Sequence, residues 1–356
     1  MKIALITIWH CCNYGAEMQT YATVKALTQL GHQVELIDFR LTDQNHKPFK
    51  VRMADLASLV TPSYYKFSSF WEEYLPVKKL RYRSLDELRS NPPKADLYMV
   101  GSDQVWNESI TKDKAAAFFL DFGPENVKRA SFSSSFGVNV WNGQPQLTNI
   151  AQKRFAGYCG ISCREKTGLK ILKDTFGITQ AYNTLDPTLL FNDYSEILGS
   201  VVENDTLVYY PLRNGNTSLE TVSNQLAEKL KLTLENANPY KMIPGTSSLV
   251  WNRNSIKQWM QTIAGARLVV TPSFHGVAFS ILFHRQFVVL NLAKHGRQSR
   301  LLDLLDELGV GDRYYESIDA LLNSDFINYP IDYNLVDSKL QSLRDRSWSY
   351  IKNILR

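Results

Sequence analysis

His275, followed by Gly276, lies between a short apolar run, Leu268 to Thr271, and an apolar stretch of helical length, Val277 to Phe283. An imidazole at such a turn can give or take a proton near neutral pH, and in open α/β sheets ligands are met at the carboxyl ends of strands. The competing reading is a histidine that caps a helix or satisfies the core. Asp103, in the run Gly101-Ser102-Asp103-Gln104-Val105-Trp106-Asn107, follows directly on the apolar Asp96 to Val100. It is placed to accept a hydroxyl proton, Ser102 is small enough to let a ligand approach the backbone, and Trp106 offers a flat apolar face of the kind that stacks on sugar rings. A turn with a hydrophobic staple explains the same letters. Lys294, His295, Arg297 and Arg300 form a basic loop after the next strand, where guanidinium groups can hold carboxylate or phosphate bidentately, unless the loop is a solvated patch. Arg164 and Glu165 stand at a further strand-to-helix junction and read equally well as an ordinary surface pair.

The elements that must position these groups alternate between strand and helix periods. Ile3 to Ile8 reads as a strand, Ala16 to Leu30 as an amphipathic helix ending at Gly31, and Val34 to Phe39 as a second strand, which together make a βαβ unit. The loop from His10 to Gly15 is in the right place to present backbone N–H groups to a ligand, but it holds one glycine and no GxGxxG, so a dinucleotide fingerprint is not supported. Asp38, near the end of its strand, is a ribose ligand or, more plainly, a cap. Tyr64 to Tyr74, YYKFSSFWEEY, lines an acceptor groove or packs as an excursion helix. Arg129 to Phe136 alternates like a strand, and Ile161 to Glu165 leads into a helix from Lys166 to Phe176. Pro187 forces Asp186 out of helical conformation.

The polar stretch from Asp193 to Asp205 marks a boundary, after which the alternation restarts with a strand, Thr206 to Leu212, and a helix, Leu219 to Leu230. The expected fold is α/β, with two Rossmann-like parallel-sheet domains facing each other across a cleft. Residues 1–195 form the first, 205–332 the second, and the helix in 333–356 is long enough to cross back onto the first.

Composition narrows the function classes. The chain of 356 residues carries 40 Lys and Arg against 35 Asp and Glu, a net +5 that suits an anionic substrate or a membrane surface and falls short of a nucleic-acid signature. Its four cysteines, Cys11, Cys12, Cys159 and Cys163, fit neither a CxxC unit nor a disulfide framework, which points to reduced thiols in the cytoplasm. MKIALITIW runs into His10 without a cleavage-site pattern, and no apolar run reaches the roughly 18 residues that span a bilayer, so any membrane association is expected to be peripheral. No metal-ligand cluster stands out.

Asn13-Tyr14-Gly15-Ala16 with Gln19, the GSDQVWN run, SCREKTG at Ser162 to Gly168, DPT at Asp186 to Thr188 and SFHG at Ser273 to Gly276 together resemble the polysaccharide pyruvyl transferase family, over nearly the whole chain. The resemblance implies a fold similar to the two-domain GT-B glycosyltransferases. It also implies transfer of the pyruvyl carbons of phosphoenolpyruvate to a sugar of a cell-surface polysaccharide or its lipid-linked precursor, as a cyclic ketal. On this reading His275 is the general acid that protonates carbon 3, and Asp103 or Asp186 accepts hydroxyl protons or orients the acceptor. Arg164, Ser273, Gly276, Lys294, Arg297 and Arg300 bind the donor. Asn13, Tyr14, Gly15, Gln19, Ser102 and Trp106 bind the acceptor.

Neither metal nor cofactor is called for, and the expected site of action is the cytoplasm or the inner face of the membrane. One departure from the family pattern matters: Ser273-Phe274-His275 stands where members have Arg-Leu-His, so a donor-binding arginine is missing and the basic loop is the expected substitute. Two other readings share the architecture. One is a nucleotide-sugar glycosyltransferase, for which the second half lacks a paired-glutamate signature; the other is a non-catalytic saccharide-binding member of a capsule-assembly complex.

Overall fold

A computed structural model describes residues 1–41, 57–211, 217–242, 250–291 and 299–356. Two five-stranded sheets form the frame. The first contains β1 (Lys2–Ile6), β2 (Gln33–Phe39), β3 (Val77–Tyr82), β4 (Leu97–Val100) and β5 (Lys128–Ser131), in the order β3-β2-β1-β4-β5. All its pairings are parallel. Short strands β6 (Ser162–Cys163) and β7 (Tyr182–Asn183) pair beside it, and β10 (Lys241–Met242) with β11 (Val250–Asn252) forms a small antiparallel ribbon. The second sheet contains β8 (Thr206–Tyr209), β9 (Thr233–Asn236), β12 (Leu268–Val270), β13 (Gln286–Leu290) and β14 (Tyr314–Tyr315), also parallel, in the order β14-β13-β12-β8-β9. Strands buried on both faces need apolar runs on both parities, and β4, β8 and β12 have them in LYMV, TLVY and LVV.

Each sheet reverses its direction of winding once: the first between β1 and β4, the second between β8 and β12. Chain segments leaving neighbouring strands at such a point run apart and open a crevice. The loops after β1 and β4 and the turn after β12 carry Asn13, Ser102, Asp103 and Ser273, with His275 in the first turn of the helix that follows. The long C-terminal helix, Tyr333–Ile354, joins the two lobes. Tyr333 bonds Arg285 in the second lobe, while Ser347 Oγ accepts from Leu185 N and Tyr350 OH donates to Ser131 O in the first. Among the described residues no helix is long and apolar enough to cross a membrane.

Two local features differ from the expectation, and at a third, the aromatic stretch, the packed-helix alternative holds. The edge strand β3 was not foreseen, because VKKLRY is half charged. The alternating run ends as a strand at Ser131, and from Phe132 to Gly137 the chain is irregular, with Ser133 at φ +53°. Its serines are buried and bonded inward, Ser134 Oγ to Gly101 O and Ser135 Oγ to Glu165 Oε1. The aromatic stretch forms the helix Pro62–Tyr74, which buries Phe67, Phe70 and Trp71 in the core and is therefore mostly packing.

Candidate active site

Asp186 is the fixed point of the cleft. Pro187 holds it extended, and from there it caps the short helix Pro187–Leu190, its Oδ1 accepting from Thr188 N at 3.0 Å and Thr188 Oγ1 at 2.7 Å. Its Oδ2 accepts from Arg164 Nη1 at 2.6 Å and Ser102 Oγ at 2.9 Å. The other arm of the guanidinium, Nη2, donates to Asp103 Oδ1 at 3.0 Å. Burial alone raises the pKa of Asp186, but Arg164, His275 and Thr188 outweigh it and bring it to about 2. With no exposed side-chain surface and both oxygens engaged, Asp186 has none free to take a hydroxyl proton, so the structure corrects the catalytic reading of Asp186: it orients Arg164 and sets the field around His275. Arg164 is corrected likewise, since both ends of its fork are taken by carboxylates. Asp103 is the open member. It is held at φ +72° by the turn after β4 and its side chain keeps some exposure.

His275 sits in the first turn of the helix Phe274–Leu282, which follows β12. Ser273 caps that helix, accepting from Gly276 N at 3.3 Å while its own N–H donates to Thr271 Oγ1 at 3.0 Å. A Cβ on Gly276 would fall 2.8 Å from Thr271 Oγ1, so this glycine serves close packing. Ser273 and Gly276 thus build the turn, where donor contact was expected of them. His275 Nε2 is buried without a hydrogen-bond partner, 3.8 Å from Asp186 Oδ1. That is too far for a hydrogen bond and near enough for a Coulombic one. Burial lowers the pKa of His275, Asp186 raises it and Arg164 lowers it, with the net direction downward.

The ring of His275 is located by the opposite lobe. A Cβ built on Gly15 would lie 2.1 Å from His275 Nδ1, so no larger residue fits without moving the imidazole. With His275 read as the general acid, Gly15→Ala is expected to cut turnover roughly 10- to 100-fold, since misplacement of a catalytic group by about 1 Å is costly on that scale. Steady-state kinetics checks this, and a kcat like wild type would show that the ring is not located by Gly15.

Arg300 closes the cleft from the helix Ser299–Leu308. Protein surrounds it while part of its surface stays open, and no hydrogen bond or ion pair joins it to another described residue. Burial and the neighbouring Arg164 lower its pKa to about 10. Lys294 and Arg297, expected beside it, lie outside the described residues. Glu165 was not foreseen as buried: its Oε1 accepts from Ser135 Oγ and Phe136 N, both at 2.9 Å, and its Oε2 is unpartnered, as is Arg164 Nε. Phe274 lies under the Arg164 guanidinium, 5.3 Å from ring centroid to Cζ. The side chains of the cleft therefore offer one half-buried guanidinium at Arg300, an unpartnered imidazole and one accessible carboxylate.

Most of the expected acceptor residues are elsewhere. Trp106 is fully buried among Phe119, Phe136 and Phe155, and its Nε1 donates to Phe118 O at 3.0 Å. It is core, and Trp106→Ala is expected to destabilise the fold by about 3–5 kcal/mol in a denaturant titration. Gln19 is buried and ties the end of β1 to its helix, donating to Ile8 O and Ala16 O. Tyr14 stacks on Trp259 and bonds Asn254 O at 2.8 Å, an inter-lobe contact. Ser102 is spent on Asp186, and Gly15 on His275. Asn13 alone of the six is exposed, with its Oδ1 capping the helix at Ala16 N.

With this geometry in view, a model of the polysaccharide pyruvyl transferase family matches residues 13–293. The chain belongs to that family. No curated protein gives a significant match. Among solved structures, the UDP-GlcNAc 2-epimerase from Neisseria meningitidis, bound to UDP-GlcNAc, is 10% identical with a TM-score of 0.57, covering 100% of both chains. The UDP-GlcNAc 2-epimerase from Methanocaldococcus jannaschii is 12% identical with a TM-score of 0.54, covering 100% of this chain and 99% of that one. The S. aureus MnaA–UDP structure is 12% identical with a TM-score of 0.54, covering 98% and 92%. At such identities the likeness is one of fold, two parallel-sheet lobes of GT-B type. Among the described residues of this family member, no group of three His, Cys, Asp or Glu side chains is placed to hold a metal ion.

Proposed function

We propose that the cleft transfers the pyruvyl unit of phosphoenolpyruvate to a sugar, forming a cyclic ketal. The observation that carries the reading is the buried, unpartnered Nε2 of His275, held between Asp186 and the cations of Arg164 and Arg300. Protonated, it delivers its proton to carbon 3 of the donor while a sugar hydroxyl adds to carbon 2 and Asp103 takes the hydroxyl proton. The carbon–oxygen bond to phosphate then breaks, phosphate leaves, and a second hydroxyl of the same sugar closes the ketal, its proton passing to phosphate or solvent. Arg300 holds the donor's anionic groups in place of the arginine absent at Ser273, with Lys294 and Arg297 on the same connection adding charge. The acceptor is a polysaccharide repeat or its lipid-linked precursor, met at the cytoplasmic face of the membrane.

Calorimetric titration with phosphoenolpyruvate at low salt tests the donor assignment. Charge-assisted hydrogen bonds are worth roughly 1.5–3 kcal/mol, so Arg300→Met is expected to weaken binding by about one to two orders of magnitude. Arg300→Lys should recover only part, because an ammonium lacks the planar fork. Equal affinities in all three proteins would remove Arg300 from the donor site, and absence of binding in wild type would remove phosphoenolpyruvate.

A further inference from the structure

Among the described residues, the loop after β1 has the shape of a ligand site that the proposed reaction leaves unused. His10 and Cys12 both have positive φ, at +59° and +52°, and this alternation turns successive backbone N–H groups toward one point. Such a concavity, at a helix start beside a sheet's reversal point, ordinarily takes an anion from solution, most often phosphate. Here the anion is already supplied. Glu17, 0% exposed, reaches back from the first turn of the helix Tyr14–Gln29, its Oε1 accepting from Cys11 N at 3.1 Å and its Oε2 from His10 N at 3.4 Å. Trp71 Nε1, from the helix Pro62–Tyr74, donates to Oε2 at 2.8 Å and seals the pocket, with the His10 ring stacked on the indole at 3.8 Å.

We propose that Glu17 is a built-in anion that occupies the phosphate-type nest of the first lobe, so that this side of the cleft takes an uncharged, hydroxyl-bearing sugar unit and excludes phosphate. The inference rests on the proposed reaction for the word acceptor; the filling of the nest does not depend on it. The carboxyl group in place blocks a second anion sterically and, where it is ionised, by repulsion as well, since two like charges within a few ångströms in a buried site are strongly unfavourable. The donor's phosphate is then confined to the Arg300 side, and the two substrates are sorted by charge between the lobes. Cys11 and Asn13, exposed on the same loop, are left to meet the neutral ring.

The test is anion rescue, with inorganic phosphate and acetate as probes. Measurements are made in an Arg300→Met background, which weakens anion binding on the donor side, and at pH 8, above the value of about 7 to which burial raises the Glu17 carboxyl. Glu17→Ala empties the nest, so phosphate or acetate should raise its melting temperature by roughly 2 °C or more over chloride at equal ionic strength. The parent and Glu17→Gln, whose amide fills the same space, should show no such shift. If Glu17→Ala does not fold in chloride, the readout is its refolding yield, expected to recover with either anion. Equal protection of all three proteins, or no rescue of Glu17→Ala, overturns the proposal. Failure of phosphoenolpyruvate to bind wild type would instead strike the donor reading and leave this one standing.

Discussion

Replacing His275 with glutamine is expected to lower turnover by about 10²–10⁴-fold, with the melting temperature and the affinity for phosphoenolpyruvate near those of wild type. Glutamine keeps the volume of the ring against Gly15 and can still donate a hydrogen bond, but it cannot release a proton. In the proposed reaction the active form of His275 is the imidazolium, so activity is expected to fall as pH rises through its pKa. In the free protein that pKa is lowered, chiefly by burial, which places the alkaline limb of kcat/KM below the ordinary histidine value of about 6.5. Once the donor's anions lie beside the ring they favour its charged form, so the corresponding limb of kcat should appear at higher pH. A glutamine variant with wild-type turnover, or limbs at the same pH, would take the proton-donor role from His275.

Arg164→Met is expected to cost about 3–5 kcal/mol of stability, the scale for breaking one side of a buried ion pair. Asp186 has no exposed side-chain surface, and the guanidinium is the largest of the interactions that keep it ionised there. Without Arg164, the carboxylate must either stay charged in a desolvated pocket or take up a proton. The pH dependence gives the sign. The folded pKa of Asp186 is depressed, so wild type holds this stability above the unfolded value of about 3.9 and loses it as pH falls toward about 2. The variant lacks that contribution at neutral pH, so the difference between the two proteins should narrow on acidification. Urea unfolding at pH 7 and pH 3 measures both quantities, and a variant as stable as wild type at pH 7 would contradict the ion-pair account. Asp186→Asn separates the roles, since it removes the buried charge and keeps the shape.

The strand, turn and helix around His275 were legible because an apolar run of strand length and an apolar run of helical length stand on either side of a short turn, and local sequence decides each. Arg164 and Glu165 were not legible as buried groups. What buries them is the irregular serine run from Phe132 to Gly137 and the helix from Ser299, both far away in sequence, and a charged pair looks the same on paper whether or not a remote segment covers it. Trp106 misled for a related reason. It follows a strand end that does face the cleft, but the left-handed backbone at Asp103 reverses the chain and turns the indole into the core behind it. Glu17 reads as one more polar position on an amphipathic helix, and only the folded loop shows that its carboxylate is the loop's own ligand.

The central claim is that this cleft moves a pyruvyl unit from phosphoenolpyruvate to a sugar. It is tested most directly by incubating the purified protein with phosphoenolpyruvate and a panel of free, polymeric and lipid-linked saccharides, following inorganic phosphate and the mass of the saccharide together. The account predicts acceptor-dependent phosphate release matched by an equal gain of pyruvyl mass on one class of saccharide, and neither in His275→Gln. Release of a nucleotide from a nucleotide sugar, with no phosphate from phosphoenolpyruvate under any acceptor, would contradict it.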